Sequence, residues 1–137
     1  MKFIILIIFT VLSSHLFGQK NGFDYNEEIF VKYAIVAMQE YYLESDVKSS
    51  FNENFDTMNY LTHGKTLKDC NGKKRKVVLV AFKSKTGSYH ASVYMILNDD
   101  NFFDSIIDRG ISLVTPESEI ESFKKNADGQ TLFQCGI

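Results

Sequence analysis

The stretch KKRKVVLVAFKSKTGSYHASVYMILNDDNFFDSIIDRGISLV, residues 73–114, decides the fold because strand and turn signals alternate along it without a break. β-Branched and aromatic residues recur in runs of strand length, and turn-forming residues separate these runs. The predicted turns are residues 86–87 and residues 98–100. We therefore expect an antiparallel meander of three or more strands as the sheet of the domain.

The first predicted turn fixes which side chains share a face of this sheet. A two-residue turn at Thr86 and Gly87 places Lys83 opposite His90. The face that carries His90 mixes polar and aliphatic residues, so we expect it to be partly covered and His90 to be accessible. The other face is almost wholly apolar and should lie under a helix; it consists of Val78, Val80, Phe82, Ala91, Val93, Met95 and Leu97.

The second predicted turn sets the position of two acids relative to His90. A three-residue loop at 98–100 pairs Leu97 with Asn101 and His90 with Asp108, and it brings Asp104 to the same face. A two-residue turn would point both aspartates into the apolar face, which is costly for unpaired carboxylates. The three-residue loop is therefore the predicted register.

Helices are predicted on both sides of the sheet segment in the sequence. Asn26 is a suitable N-cap, Tyr25 and Phe30 form a hydrophobic staple, and apolar residues then recur at three- and four-residue spacing to about Ser45. A shorter helix should begin at Pro116. The fold class is thus α+β: a long N-terminal helix packed on an antiparallel sheet, with a short C-terminal helix.

Three further segments have weaker signals. Residues 46–60 are polar and aromatic, with a possible short helix around residues 54–61, and His63 is predicted as an exposed loop residue. Residues 131–135 have the composition of a last short strand. The basic run of residues 73–76 is predicted as a solvated strand start that keeps the sheet edge from pairing with other chains.

Residues 1–18 have the pattern of a secretory signal peptide, with one lysine and an apolar run of about ten residues. That run is too short for a membrane span, which needs about twenty. We expect residues 19–137 to form a single small α+β domain without a membrane span, located outside the cell or in the periplasm. Without residues 1–18, Lys plus Arg falls from 15 to 14 against 17 acids, so nucleic acid is not an expected partner.

The two cysteines, Cys70 and Cys135, predict a disulfide, because a secreted chain meets oxidising conditions. The closed loop of about 65 residues would stabilise the fold by roughly 4 kcal/mol in the chain-entropy model. The spacing of the Cys and His residues matches no metal site, and no cofactor-binding motif is present in the sequence. No metal and no cofactor are therefore expected.

The segments GSYHASV, residues 87–93, and NFFDSI, residues 101–106, resemble the C-terminal half of papain-fold cysteine enzymes. The likeness is to small papain-fold toxin domains and transglutaminase-like proteins, over about 35 to 40 residues. It implies His90 as general base and Asp104 as the acid that orients it, with Asp108 as the alternative. The helix start at residues 26–30, where these families carry the cysteine, has no Cys, Ser or Thr.

Three functions are consistent with these patterns. The first is a secreted, papain-like domain without a nucleophile that binds a protein, a cell-wall fragment or a toxin. The second is an active cysteine hydrolase or acyl transferase acting on amide bonds through Cys70, His90 and Asp104. The third is a cystatin-like helix-on-sheet module unrelated to papain folds, in which His90 is an ordinary strand residue. The first and third hypotheses agree on a non-catalytic binding module.

Overall fold

The computed structural model describes residues 23–126 and 129–136, and the predicted signal peptide lies outside these residues. The chain order is helix, short helix, four strands, helix and short helix. The elements are α1 (Glu27–Glu44), α2 (Phe51–Asn54), β1 (Phe55–Lys68), β2 (Lys74–Ser84), β3 (His90–Leu97), β4 (Phe103–Ser112), α3 (Pro116–Asn126) and α4 (Gly129–Leu132).

Helix α1 begins and packs as its sequence predicts. The Asn26 side chain accepts a hydrogen bond from the Ile29 backbone N–H at 3.2 Å, which satisfies one of the free donors at the helix start. The rings of Tyr25 and Phe30 meet edge to face with centroids 6.0 Å apart, so the hydrophobic staple is confirmed. These contacts fix the angle at which the chain enters α1.

The sheet is an antiparallel meander in the order β1-β2-β3-β4, which confirms the predicted α+β class. Lys83 pairs with His90, as the turn at Thr86 and Gly87 predicts. Helix α1 covers the apolar face of the sheet and forms the larger hydrophobic core with it, which includes Phe30, Ala34, Met38, Val80, Phe82, Val93 and Met95. Burial of these side chains supplies most of the stabilisation on this side.

The second face of the sheet is also covered, contrary to the sequence prediction. Ile120 and Phe123 of helix α3 pack on Val77 and Leu79, and these four residues belong to a second, smaller core. His90, expected to be accessible, has no exposed surface. The sequence predicts only a short, polar helix at α3. The docking of α3 on this face depends on contacts between residues that are far apart in the chain.

The predicted register of β4 is wrong because the turn before β4 is displaced and because β4 contains two bulges. Leu97 pairs with Phe103 instead of Asn101, and His90 pairs with Ser112 instead of Asp108. Asp104 and Ile107 are the extra residues, each inserted between two paired positions of β4. At Leu97 the partner has already moved by two residues, and each inserted residue moves it by one more, so the partner of His90 changes from Asp108 to Ser112.

Two other segments differ from their predictions. Residues 55–68 form strand β1, so the possible helix there is absent and His63 is a buried strand residue instead of an exposed loop residue. Residues 131–135, expected as a strand, instead begin within the short helix α4. Pairing with β2 in the first segment, and contacts with β1 together with the disulfide in the second, outweigh a weak local preference.

Candidate functional site

The predicted nucleophile Cys70 is bonded to Cys135, which confirms the predicted disulfide. The turn that carries Cys70 is organised by Asp69, whose carboxylate accepts hydrogen bonds from the backbone N–H groups of Asn71 and Lys73 and from Arg75. Partial burial opposes the charge on Asp69, but these donors outweigh it and lower the pKa of the carboxyl. Cys70 therefore has a structural role in a well-ordered turn.

His90, the predicted base, is enclosed by β3, β4 and the loop before α3. Its Nδ1 atom faces the carbonyl oxygen of Val114, and its Nε2 atom lies 3.2 Å from a carboxylate oxygen of Glu119. The other oxygen of Glu119 accepts a hydrogen bond from the Tyr94 hydroxyl at 2.9 Å. The carboxylate partner of His90 is thus Glu119 in α3, and neither Asp104 nor Asp108 contacts the ring through a hydrogen bond.

The contacts of His90 determine where its protons lie. A carbonyl oxygen only accepts, so Nδ1 carries a hydrogen and donates to Val114. The contact between Nε2 and Glu119 then needs one more proton, carried by the imidazole or by the carboxyl group. Burial, with the Glu119 charge and hydrogen bond as further causes, raises the pKa of Tyr94 well above its usual range. Tyr94 is therefore a fixed donor in this cluster.

The three residues of the predicted catalytic site are not brought together. Cys70 precedes β2, whose first residues pair with the end of β3, so it lies at the opposite end of the sheet from His90. Asp104 is also at that far end, in the bulge next to Leu97, and Asp108 lies opposite Tyr94. At about 3.3 Å per residue, the length of β3 separates the two ends by roughly 20 Å.

The start of α1 is also far from His90. Phe30 and Tyr33, in its first two turns, contact Phe103 at the beginning of β4. The last turns of α1 lie at the other end of the sheet, where Tyr42 contacts Phe55. A papain-like site would need the helix start beside the histidine, and this structure has it at the opposite end and over the opposite face.

The basic run at residues 73–76 is partly used in internal contacts. Arg75 pairs with Asp69 at 3.1 Å. The Nζ atom of Lys76 donates to the Asn101 side chain at 2.6 Å and to the Asp99 carbonyl at 3.3 Å. These bonds tie the start of β2 to the turn between β3 and β4, so half of the run has a structural function.

An open groove between the start of α1 and the turn before β4 has the apolar, aromatic lining of a binding site. Its volume is about 340 Å³. Tyr33 and Phe103 stack with centroids 4.5 Å apart and form one wall. Phe102 is 68% exposed although it is a large ring. We call this site the aromatic groove and define it by its apolar lining of Ile29, Phe30, Tyr33, Phe102 and Phe103.

Polar groups surround the aromatic groove on both sides. Asp24 and Asn26 lie before α1, and Asp100 and Asn101 lie in the turn before β4. The described lining residues include no lysine or arginine. Neither Asp24 nor Asp100 forms an ion pair with another described residue. The rim is therefore negatively charged at neutral pH.

No single stretch of the sequence predicts the aromatic groove, because its lining comes from two segments far apart in the chain. Tyr33 was recognisable only as one aromatic residue of a core helix, and Phe102 and Phe103 as the start of a strand. Two adjacent phenylalanines directly after a polar turn were the available signal, because alternation in a strand places one of them on each face. The sequence contains no comparable signal that Glu119 is the partner of His90, because this contact depends on how α3 docks on the sheet.

The fold and the site define a class by architecture: an antiparallel meander with a helix on each face and an aromatic groove at one end. Comparison with protein-family models, characterised proteins and solved structures finds no match to this chain. Among residues 23–126 and 129–136, no helix has the length and apolar character needed to cross a membrane. In the same residues, no three His, Cys, Asp or Glu side chains form a possible metal site.

Proposed function

We propose that this protein is a non-catalytic binding module that recognises a protein partner by accepting one of its apolar side chains in the aromatic groove. The observation that carries the proposal is Phe102, a large ring left mostly exposed beside the stacked rings of Tyr33 and Phe103. Covering such a ring is favourable by about 25 cal/mol per Å² of apolar area. A cluster of exposed rings with a polar rim is typical of an interaction site.

The size and shape of the groove support a protein side chain as the occupant. Pockets for small molecules span roughly 300–1,000 Å³ and enclose most of the ligand. The aromatic groove, at about 340 Å³, is at the lower end of that range and is open to solvent. It has room for one or two side chains, while the rest of the partner would lie on the surrounding surface.

The positions of the potential catalytic residues support a binding role. The Cys70 sulfur is bonded and is not a nucleophile in this form, and His90 is buried against Glu119. A papain-like ancestry, with or without a former nucleophile, remains a hypothesis. A binding role outside the cytoplasm is consistent with the disulfide, which forms under oxidising conditions.

The test uses an uncharged fluorescent aromatic probe, N-phenyl-1-naphthylamine, titrated into the protein and two matched variants. Phe102→Ser removes the exposed ring of the groove, and Met58→Ser removes a side chain that is 87% exposed in β1, outside the groove. We expect Phe102→Ser to weaken probe binding by about tenfold, a loss of roughly 1.4 kcal/mol. Met58→Ser should leave it unchanged. Equal binding to all three proteins would contradict the proposal.

A further inference from the structure

Helix α1 carries a second row of apolar residues on its solvent side. Ile29, Tyr33, Val36 and Leu43 follow one another at spacings of four, three and seven residues, which places them on one side of the helix. Val36 is 52% exposed and Leu43 is 83% exposed. We call these four residues the outer stripe. A helix on the surface of a globular protein normally has polar residues in these positions.

The outer stripe begins in the aromatic groove and extends away from it along α1. Ile29 and Tyr33 belong to both, since they line the groove and begin the stripe. From Ile29 to Leu43 the stripe extends for about 21 Å at 1.5 Å per residue. A single small ligand in the groove would leave most of this apolar surface exposed, so the shape favours an elongated partner.

The charges beside this surface are predominantly negative. Glu40 lies in the seven-residue gap of the stripe between Val36 and Leu43, Glu44 follows Leu43, and both pair with one cation, Arg109, at 3.7 Å and 2.8 Å. That triad has a net negative charge. At the groove end, Asp24 and Asp100 add two carboxylates without ion-pair partners among the described residues. A cationic partner is therefore electrostatically complementary to this face.

We propose that the outer stripe and the aromatic groove together dock a basic amphipathic α-helix of a partner protein. This inference rests on the proposed function, since the groove would hold an apolar side chain near one end of that helix. Three- and four-residue spacing lets the side chains of two helices interdigitate, and a helix laid in an apolar surface is an established mode of recognition. Lysine or arginine residues flanking its apolar face would lie near Glu40, Glu44, Asp24 and Asp100.

The probes are two synthetic peptides of about 18 residues, long enough to form a helix when bound. Both have leucine at the first and fourth positions of each heptad; one has lysine, and the other glutamate, at the flanking positions. Affinity is measured by fluorescence anisotropy with the protein purified after expression and export of the full chain. The variants are the double change Val36→Ser with Leu43→Ser and the control Met58→Ser.

We expect the lysine peptide to bind at least about tenfold more tightly than the glutamate peptide. The double variant should weaken that binding by a similar factor, and Met58→Ser should not change it. Equal affinity for both peptides, or an unchanged affinity in the double variant, would overturn the inference. The double variant retains Phe102, so intact N-phenyl-1-naphthylamine binding in the same samples would preserve the proposed function while refuting the helix partner.

Two other possible occupants of the surface are a second copy of the protein and residues 1–18. Analytical ultracentrifugation of the protein without peptide tests the first. We expect the protein and its double variant to have the same sedimentation coefficient. Self-association that the double variant abolishes would make the outer stripe an interface between copies and would overturn the inference. Unprocessed protein of residues 1–137, produced without export, is compared with protein beginning at Gln19. Peptide binding by neither the exported nor the unprocessed protein, but by the protein beginning at Gln19, would show that residues 1–18 occupy the surface and would overturn the inference equally.

Discussion

At His90, each ring nitrogen has a hydrogen-bond partner, one from the backbone of Val114 and one from the side chain of Glu119. This arrangement links β3 to the loop that precedes α3 and to the first turns of α3. A buried polar side chain with all its partners present stabilises one packing arrangement, and it becomes costly when a partner is lost. The residue that the sequence suggests for catalysis therefore has a structural role here.

His90→Ala should lower the free energy of unfolding by about 2–4 kcal/mol, because it leaves a cavity and removes two hydrogen bonds. Urea denaturation monitored by circular dichroism measures this change. Tyr94→Phe removes a single hydrogen bond to Glu119 and should cost about 1 kcal/mol. A loss below about 0.5 kcal/mol for His90→Ala would show that the ring is accessible in solution.

Tyr25 should make the fold sensitive to alkaline pH. Burial of its ring, opposed by the hydrogen bond with Thr62 and assisted by the Glu27 charge, raises its pKa from 10.0 to about 12. Below pH 10 the hydroxyl is protonated in both states, so its contribution to stability is complete. As the pH rises through about 12 this contribution, on the order of 2–3 kcal/mol, is lost because only the unfolded state ionises freely.

The measurement for Tyr25 is the free energy of unfolding at about pH 8 and about pH 11.5. Tyr25→Phe should reduce the difference between the two pH values, since the variant has no proton to release at this position. Tyr33→Phe is the matched control, because its ring lies partly exposed on α1. The same pH difference in Tyr25→Phe and in the unmodified protein would contradict the prediction.

Among the elements, α1, β2 and β3 were predictable from sequence because their local signals agree with their packing. Asn26 and Tyr25 mark the start of α1, and the turn at Thr86 and Gly87 fixes the register of β2 and β3. Strand β1 was missed because its sequence, FDTMNYLTHGKTLK, is largely polar and has no clear alternation. Its pairing with β2 overrides that weak preference.

The parts of the site that sequence could not provide depend on geometry between distant elements. The bulges at Asp104 and Ile107 move the partner of His90 by two residues, and the displaced turn before β4 moves it by two more. Neither shift has a signal in the local sequence. The burial of His90 requires α3 to fold back over the second face. The aromatic groove needs the start of α1 to lie beside Phe102 and Phe103, more than 60 positions later in the sequence.

Helix α3 should be stabilised chiefly by Phe123. Its ring meets His63 and Tyr94 edge to face, with centroids 5.7 Å and 5.5 Å away, and it is almost fully buried. We expect Phe123→Ala to reduce the free energy of unfolding by about 3–5 kcal/mol in a urea titration. Leu113→Ala, an exposed position in the loop before α3, should change it by less than about 0.5 kcal/mol. Similar effects of the two changes would contradict the docking of α3.

For the whole molecule, the disulfide fixes the C-terminal segment to the turn between β1 and β2. It joins residues 65 positions apart in the chain. The double change Cys70→Ser with Cys135→Ser should therefore lower the free energy of unfolding by about 4 kcal/mol, mainly because the unfolded chain becomes less restricted. Reductant should destabilise the unmodified protein by a comparable amount and leave the double variant unchanged. Equal stability with and without reductant would argue against the bond.

The sheet ends at β4, and its two bulges limit how copies of the protein can assemble. An edge strand offers unpaired backbone groups to which another chain can add, which is a route to fibrils. Asp104 and Ile107 interrupt the regular pairing of β4 and leave an unbroken ladder only from Asp108 to Ser112. We expect deletion of Ile107 to straighten this edge and to accelerate fibril formation, as followed by thioflavin T fluorescence. The bulges that help to move Asp108 away from His90 would thus also protect a concentrated solution of the protein from aggregation.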